Sequence, residues 1–246
     1  MLWLRLDSLI VTELCNGTLH DLVVVNKDYY SKLTPYQLKN VVLREIVEGV
    51  KYLHDNGIIH RDLKPHNILY CIIISKAGRI RQLVMKVADF GCSRSVPEGG
   101  DHYTRTMTKK GDYSNTFRPF GTDGWLAPEV LNGVKELRPP HAVDIYPLGL
   151  IFAFTLLRGR HPYGEDATTR NERVKKKQPM PDIIRHQLID EHGDGCYVLI
   201  NRMLDPNPEE RPTAAEILDV VRDSKVCFII NLLILLYANL YNEARR

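Results

Sequence analysis

The sequence predicts a mainly α domain with a minor β component, an α+β arrangement. Short β-favouring runs are confined to residues 9–87, helical text fills most of the chain beyond residue 127, and a polar stretch with little apolar periodicity lies between them at residues 93–124. A chain of 246 residues is near the upper end for one hydrophobic core, and 44% hydrophobic with 26% charged residues is an ordinary globular balance, so one domain is expected.

The opening run MLWLRLDSLIV is interrupted by Arg5 and Asp7, which argues against the apolar core of a signal peptide. Residues 9–14 read as a strand that ends at the Cys15-Asn16-Gly17 turn, and a helix is expected from Thr18. Thr34-Pro35 opens a stronger helix, with Thr as N-cap and Pro at the first helical position. Leu38, Val41, Val42, Ile46, Val50 and Leu53 recur on its face, and Asn56-Gly57 closes it. Residues 68–74 and 82–87 read as a hairpin joined by Ser75-Lys76-Ala77-Gly78. The polar stretch follows, and an irregular segment of that length inside a compact domain is usually functional. Helices are then expected over residues 127–131, 143–157, 197–204 and 213–221, the last opened by a Thr213/Glu216 capping box.

A net charge of +3, from 33 basic and 30 acidic residues, is too small to imply a nucleic-acid or membrane partner. The five cysteines are odd in number and lack CxxC or Cys/His spacing, which favours reduced thiols and a cytosolic setting. Residues 226–241 are apolar, but they fall short of the roughly 20 residues that span a bilayer and include Asn231 and Asn239, so no transmembrane span is expected.

Chemistry concentrates in His60-Arg61-Asp62-Leu63-Lys64-Pro65-His66-Asn67, directly after the long helix. This run resembles the catalytic loop of protein kinases, H-R-D with an Asn five residues after the Asp. The resemblance implies that Asp62 accepts or orients the proton of a substrate hydroxyl. It also implies that Lys64 offsets charge on the transferred phosphoryl group and that Asn67 holds magnesium; a Lys at this place is similar to the Ser/Thr class. Asp89-Phe90-Gly91, at the end of the second hairpin strand, resembles the D-F-G whose Asp ligates magnesium on the phosphates of ATP. Gly121-Thr122 and Ala127-Pro128-Glu129 resemble the end of an activation segment spanning residues 89–129. Within it Thr104, Thr106, Thr108, Ser114 and Thr116 are candidate phosphorylation sites able to pair with Arg61. By the same resemblance, Asp144 hydrogen-bonds the catalytic-loop backbone, Arg211 pairs with Glu129, and the backbone of Glu13 and Cys15 forms a hinge that binds adenine.

Taken together, Glu13-Leu14-Cys15 with Thr18-Leu19, the His66 version of the catalytic loop and Gly121-Thr122-Asp123-Gly124-Trp125-Leu126-Ala127-Pro128-Glu129 resemble a narrower family. This is the inositol-requiring kinase/endoribonuclease of the unfolded-protein response, with ribonuclease L as its nearest relative. The implied fold is protein-kinase-like, with residues 1–17 as the last upper-lobe strand and hinge, residues 18–223 as the C-terminal lobe, and residues 224–246 as an apolar tail. The implied cofactors are ATP and Mg2+, and the implied partners are a protein substrate and a second kinase copy. The implied location is cytoplasmic, on the cytosolic side of an endoplasmic-reticulum-anchored protein.

Two departures set further expectations. Gly17, Gly49 and Gly57 are the glycines before His60 and are too scattered for a G-x-G-x-x-G phosphate loop, and no V-A-I-K-like lysine accompanies them. After residue 223 the text turns apolar instead of continuing into a ribonuclease domain. The chain is therefore expected to be a truncated form of weak or no activity, without ribonuclease function. Its tail is open to three readings: a core helix, a gene-model or intron artefact (favoured by the abrupt change of text), or an interfacial helix that attaches the chain to a membrane surface. The alternative function is a non-catalytic kinase-like module that binds an intact kinase.

Other features carry ordinary structural expectations. Lys175-Lys176-Lys177 reads as a solvated helix face, since no aromatics interleave it. His54 and His141 read as packing or capping residues, His60 as a structural hydrogen-bonding residue, Trp125 as packing near the substrate loop, and Cys92 as a small apolar filler.

Overall fold

The computed structural model describes residues 12–31, 33–34, 37–74, 80–96, 103–104, 120–134 and 136–222. The interrupted start and the first part of the expected strand, Pro35, the 75–78 turn, Thr106, Thr108, Ser114, Thr116 and the 226–241 tail lie outside the described residues.

The described elements begin with β1 (Gly17–Thr18), a π-helical turn at Asp21–Val25, and α1 (Lys27–Tyr30). A π-helical stretch, Leu38–Leu43, runs into α2 (Arg44–Asp55). Next come β2 (Ile58–Ile59), a 3-10 turn at Pro65–Asn67, and the hairpin of β3 (Ile68–Ile74) and β4 (Ile80–Val87), then β5 (Arg94–Ser95) and β6 (Tyr103–Thr104). Beyond these lie α3 (Pro128–Leu131), β7 (Glu136–Leu137), α4 (Ala142–Leu156), α5 (Ala167–Lys175), α6 (Asp182–His192), α7 (Asp194–Met203) and α8 (Ala214–Arg222). The mainly α, α+β expectation holds.

The helix expected from Thr34 is capped as its sequence demands. Thr34 N donates to Gln37 Oε1 at 2.9 Å, and Gln37 N donates back to Thr34 Oγ1 at 3.2 Å, so two otherwise orphaned N–H groups are satisfied reciprocally. Within α2, Ile46, Val47, Val50 and Leu53 are buried, the i, i+4, i+7 stripe of an amphipathic helix, and this face packs on β4 and α8. The Thr213/Glu216 capping box forms at the start of α8, Thr213 N donating to Glu216 Oε2 at 2.7 Å.

Helix α4 is of the opposite kind. Every one of its 15 residues is buried, which marks a helix enclosed on all sides by core. Sequence patterning picked this segment out by sheer apolarity and left α5 and α6 unassigned. In α6 the reason is visible: Ile183 is 77% exposed while Leu188 is fully buried, so its apolar residues form no single stripe. Lys175 ends α5, and Lys175, Lys176 and Lys177 are all exposed.

Candidate active site

The β3–β4 hairpin brings two distant motifs together. Its register pairs Ile68 with Val87, so its open end places Asn67 beside Ala88, and Ala88 N donates to Asn67 O at 2.9 Å. His60 Nε2 donates to Ala88 O at 2.9 Å. The residue before Asp89 is thus gripped through both its backbone groups by the loop that carries Asp62. His60 is fully buried in this role, as its structural reading anticipated.

Asp62 is the hub of the loop. Its Oδ2 accepts from Lys64 Nζ at 2.9 Å and from Asn67 Nδ2 at 3.1 Å, and its Oδ1 accepts from Thr122 Oγ1 at 2.6 Å. Lys64 Nζ also donates to Thr122 Oγ1 at 2.6 Å, which closes a triangle of Asp, Lys and Thr. A carboxylate offers about four lone-pair sites, so these donors leave room for about one more. Asn67 spends its amide N–H groups on Asp62, on the backbone O at 2.8 Å as well as on Oδ2, and its Oδ1 accepts no hydrogen bond from the described residues.

Gly121 makes the Thr122 contact possible. Its φ is +95°, and a Cβ there would lie 2.7 Å from Arg61 O and 2.7 Å from a Leu126 methyl, so only glycine lets the strand of chain before Thr122 close on the loop. Asp89 also adopts a left-handed backbone, φ +62°, and its Oδ1 accepts from Gly91 N at 3.3 Å, capping the short turn Phe90–Cys92. Asp is among the few non-glycine residues that take this conformation readily, because its short side chain can bond locally. The carboxylate is exposed at the rim of the site.

A buried charged frame holds the loop from below. Asp144, wholly buried at the start of α4, accepts from His60 N at 2.8 Å, Arg61 N at 2.8 Å and His54 Nε2 at 3.0 Å. Burial alone would raise its carboxyl, but the His54 hydrogen bond and charge and the two backbone N–H groups more than offset that and hold it below the usual carboxylate range. His54 is therefore more than a packing residue. Arg211 meets Glu129 through two parallel bonds of 2.7 Å and adds bonds to Ala142 O and Asp205 O, each at 2.8 Å. Both expected pairings, of Asp144 with the loop backbone and of Arg211 with Glu129, are present. Trp125 is buried edge-on to His161, ring centroids 4.9 Å apart. Burial and then the charge of Arg170 push His161 down to about 3, against a smaller opposing contribution from the Gly124 backbone.

The segment from Thr12 to Asn16 is built differently. Thr12, Glu13 and Leu14 are exposed, and Glu13 Oε2 accepts from Lys86 Nζ at 2.7 Å on the surface. Cys15 is half-buried against Cys71 of β3. Glu13 and Cys15 thus lie beside the hairpin whose open end carries Asn67 and Asp89, separate from the Asp62 network. Cys92 is half-buried, and its carbonyl accepts from Arg61 Nε, so it contributes backbone more than apolar filling. The Arg61 guanidinium also lies 4.4 Å from the Phe120 ring centroid.

Thr122 is the residue that motif reading passed over, noting it only as a segment boundary. The signal was present in its place directly after a glycine, but its partners Asp62 and Lys64 lie some sixty residues earlier and only the folded chain joins them.

A mainly α fold with a buried Asp144 under an H-R-D loop, tied by a hairpin to D-F-G, defines a class, and comparison with known proteins agrees. The family model for the protein kinase domain matches residues 5–221, and the chain belongs to the protein kinase family. It is 36% identical over 180 residues to serine/threonine-protein kinase/endoribonuclease IRE1 of Oryza sativa subsp. japonica, an alignment covering 72% of this chain and 17% of that protein. It is 32% identical over 211 residues to serine/threonine-protein kinase/endoribonuclease IRE2 of Homo sapiens, covering 85% of this chain and 20% of that one. The sensor for unfolded proteins in the ER ire1 of Schizosaccharomyces pombe is 31% identical over 228 residues, covering 85% and 20%. The chain thus spans about a fifth of the length of these relatives. Among the described residues no helix is long and apolar enough to cross a membrane.

Proposed function

We propose that the chain is the loop-bearing part of a serine/threonine protein kinase of the unfolded-protein response, using ATP and Mg2+. The observation that carries this is the Asp62 carboxylate, held by Lys64, Asn67 and Thr122 with capacity for one further donor. A substrate serine or threonine hydroxyl is that donor: Asp62 orients it and takes its proton, while Lys64, already fixed between Asp62 and Thr122, faces the charge that builds on the phosphoryl group. Fixing these groups before substrate arrives lowers the entropic part of the barrier.

Asn67 Oδ1 and the Asp89 carboxylate fit magnesium. They are hard oxygen donors, one without a partner among the described residues and one exposed, and Mg2+ is commonly held by one or two protein ligands together with substrate phosphates. Held there by Asn67 and Asp89, a magnesium ion would supply positive charge to offset that of the substrate phosphates. The chain's own part is to hold Asn67 and Asp89 at fixed separation through the Ala88 bonds. The backbone of Glu13 and Cys15 is proposed to meet adenine, and residues 12–17 and 18–222 to act as hinge and lower lobe.

The name of the Schizosaccharomyces pombe relative, a sensor for unfolded proteins in the ER, supports a role in signalling endoplasmic-reticulum stress. A second kinase copy is the proposed partner, with Thr104, Thr106, Thr108, Ser114 or Thr116 as the proposed acceptors in trans. The cytosolic face of the endoplasmic reticulum is the proposed location. The 246 residues contain no G-x-G-x-x-G run to cover the phosphates, so assayed alone they transfer phosphate slowly.

The test is label transfer from γ-labelled ATP with Mg2+ to the chain itself and to a mixed Ser/Thr/Tyr peptide pool. Slow labelling of Ser and Thr, reduced at least about a hundredfold by Asp62→Asn, is expected. Phosphotyrosine as the main product, or labelling indifferent to Asp62→Asn, would overturn the kinase reading. Fast labelling by these residues alone would overturn the weak-activity reading.

A further inference from the structure

We propose that Cys15 and Cys71 are a redox-active dithiol that closes to an intrachain disulfide and ties the segment before β1 to the central strand β3. Cys71 Sγ donates directly to Cys15 Sγ at 2.8 Å, where a covalent S–S bond measures about 2.05 Å. The placement is enforced by backbone. β1 pairs Gly17 with Tyr70, Asn16 N donates to Tyr70 O at 2.9 Å, and Ile72 N donates to Asn16 Oδ1 at 2.7 Å. Asn16 is therefore pinned to residues 70 and 72, on either side of Cys71, and Cys15 is its immediate neighbour. The inference needs none of the kinase chemistry.

Accessibility sets the order of events. Cys15 is half-buried and reachable, whereas Cys71 is only 8% exposed. The oxidant is a low-molecular-weight disulfide. The Cys15 sulfur, having lost its proton, attacks one sulfur of that disulfide; the S–S bond breaks, and the departing thiolate takes up a proton. Cys71, 2.8 Å away, then attacks the Cys15 side of the mixed disulfide and releases the second small thiol in the same way. Two protein thiols are oxidised, one small disulfide is reduced to two thiols, and two protons pass from protein to leaving groups.

The surroundings of the pair favour the protonated thiol over the thiolate, which slows reaction with such an oxidant. Desolvation, then the hydrogen bond and charge of Cys71, then Glu13 push the Cys15 thiol up to about 11, with Lys86 opposing. The Glu13 carboxylate also accepts from Cys71 Sγ at 3.9 Å and is itself paired with Lys86. Cross-linking two positions 56 residues apart in sequence restricts the unfolded chain.

The test uses the 246-residue chain incubated with oxidised or with reduced glutathione, alkylated, digested without reduction and read by mass spectrometry. A Cys15–Cys71 linked peptide in the oxidised sample alone is expected, with two of the five thiols per chain no longer alkylatable, Cys92, Cys196 and Cys227 still alkylated, and full reversal by dithiothreitol. The oxidised chain should also melt about 5 °C higher or more. In Cys71→Ser the oxidant should leave glutathione on Cys15 and the melting gain should vanish. Because the wild-type comparison stands by itself, poor folding of that variant would not blur it. Unchanged thiol counts, stable glutathione adducts on wild-type Cys15 without the linked peptide, or linkage between chains would overturn the proposal.

Discussion

The Asp144–Arg211 frame and the Thr12–Asn16 segment flank the same loop and hairpin, yet they are held by opposite means. In the frame, charges are buried and every one is bonded: Asp144 has no exposed surface and Arg211 is only 6% exposed. In the segment, Glu13 and Lys86 pair on the surface, with side chains 61% and 40% exposed, and a thiol pair joins it to β3 beside the Asn16 bonds. Low dielectric makes the first arrangement strong when complete and costly when broken, whereas water and salt screen the second. The frame is therefore a fixed base, and the segment is the side of the site that conditions are able to change.

The comparison is broken most sharply at Arg211. Arg211→Ala should lower unfolding free energy by about 3–5 kcal/mol, because it strands the Glu129 carboxylate in the core; urea denaturation measures it. Asp144→Asn should cost about 2 kcal/mol, since it removes a charge-assisted acceptor for the backbone of His60 and Arg61, and it should depress phosphoryl transfer more than nucleotide binding.

Acidity acts on the same base. His161 is held down at about 3 when folded and titrates near 6.5 when unfolded, so between those values the unfolded chain binds the extra proton. Its effect is absent above pH 6.5, and stability falls as pH drops below it, by up to about 1.4 kcal/mol per unit. His161→Gln should flatten the chemical-denaturation midpoint across that window. Asp144, whose carboxyl is lowered, loses its contribution only at still lower pH, below the ordinary carboxylate value of about 4. The smallest effect belongs to the segment: Lys86→Ala should cost no more than about 1 kcal/mol, and salt should erase the difference. A cost equal to that of Arg211→Ala would remove the contrast altogether.

The same contrast explains what was legible in the sequence. Asp62, Lys64, Asn67 and Asp89 stood out because phosphoryl-transfer chemistry fixes residue types at fixed spacing. Asp144 and Arg211 followed once that resemblance was in hand, and the Thr34 N-cap and the Thr213 capping box were readable because they are local. Thr122 was not, because its partners are distant in sequence. The Cys15–Cys71 contact was not, because it depends on the register of β1 against β3, which two residues of strand do not announce. Helices α5 and α6 escaped because their apolar residues are few or scattered around the helix.

Central to the proposed function is a magnesium-dependent nucleotide site at Asn67 and Asp89, organised around Asp62. Calorimetric titration of ATP into the 246-residue chain, with and without Mg2+, tests that most directly. Weak binding that requires Mg2+ is expected, lost in Asp89→Ala and in Asn67→Ala, while Lys86→Ala binds as the wild type does. Binding of equal strength without Mg2+, or unaltered by Asp89→Ala, would contradict it.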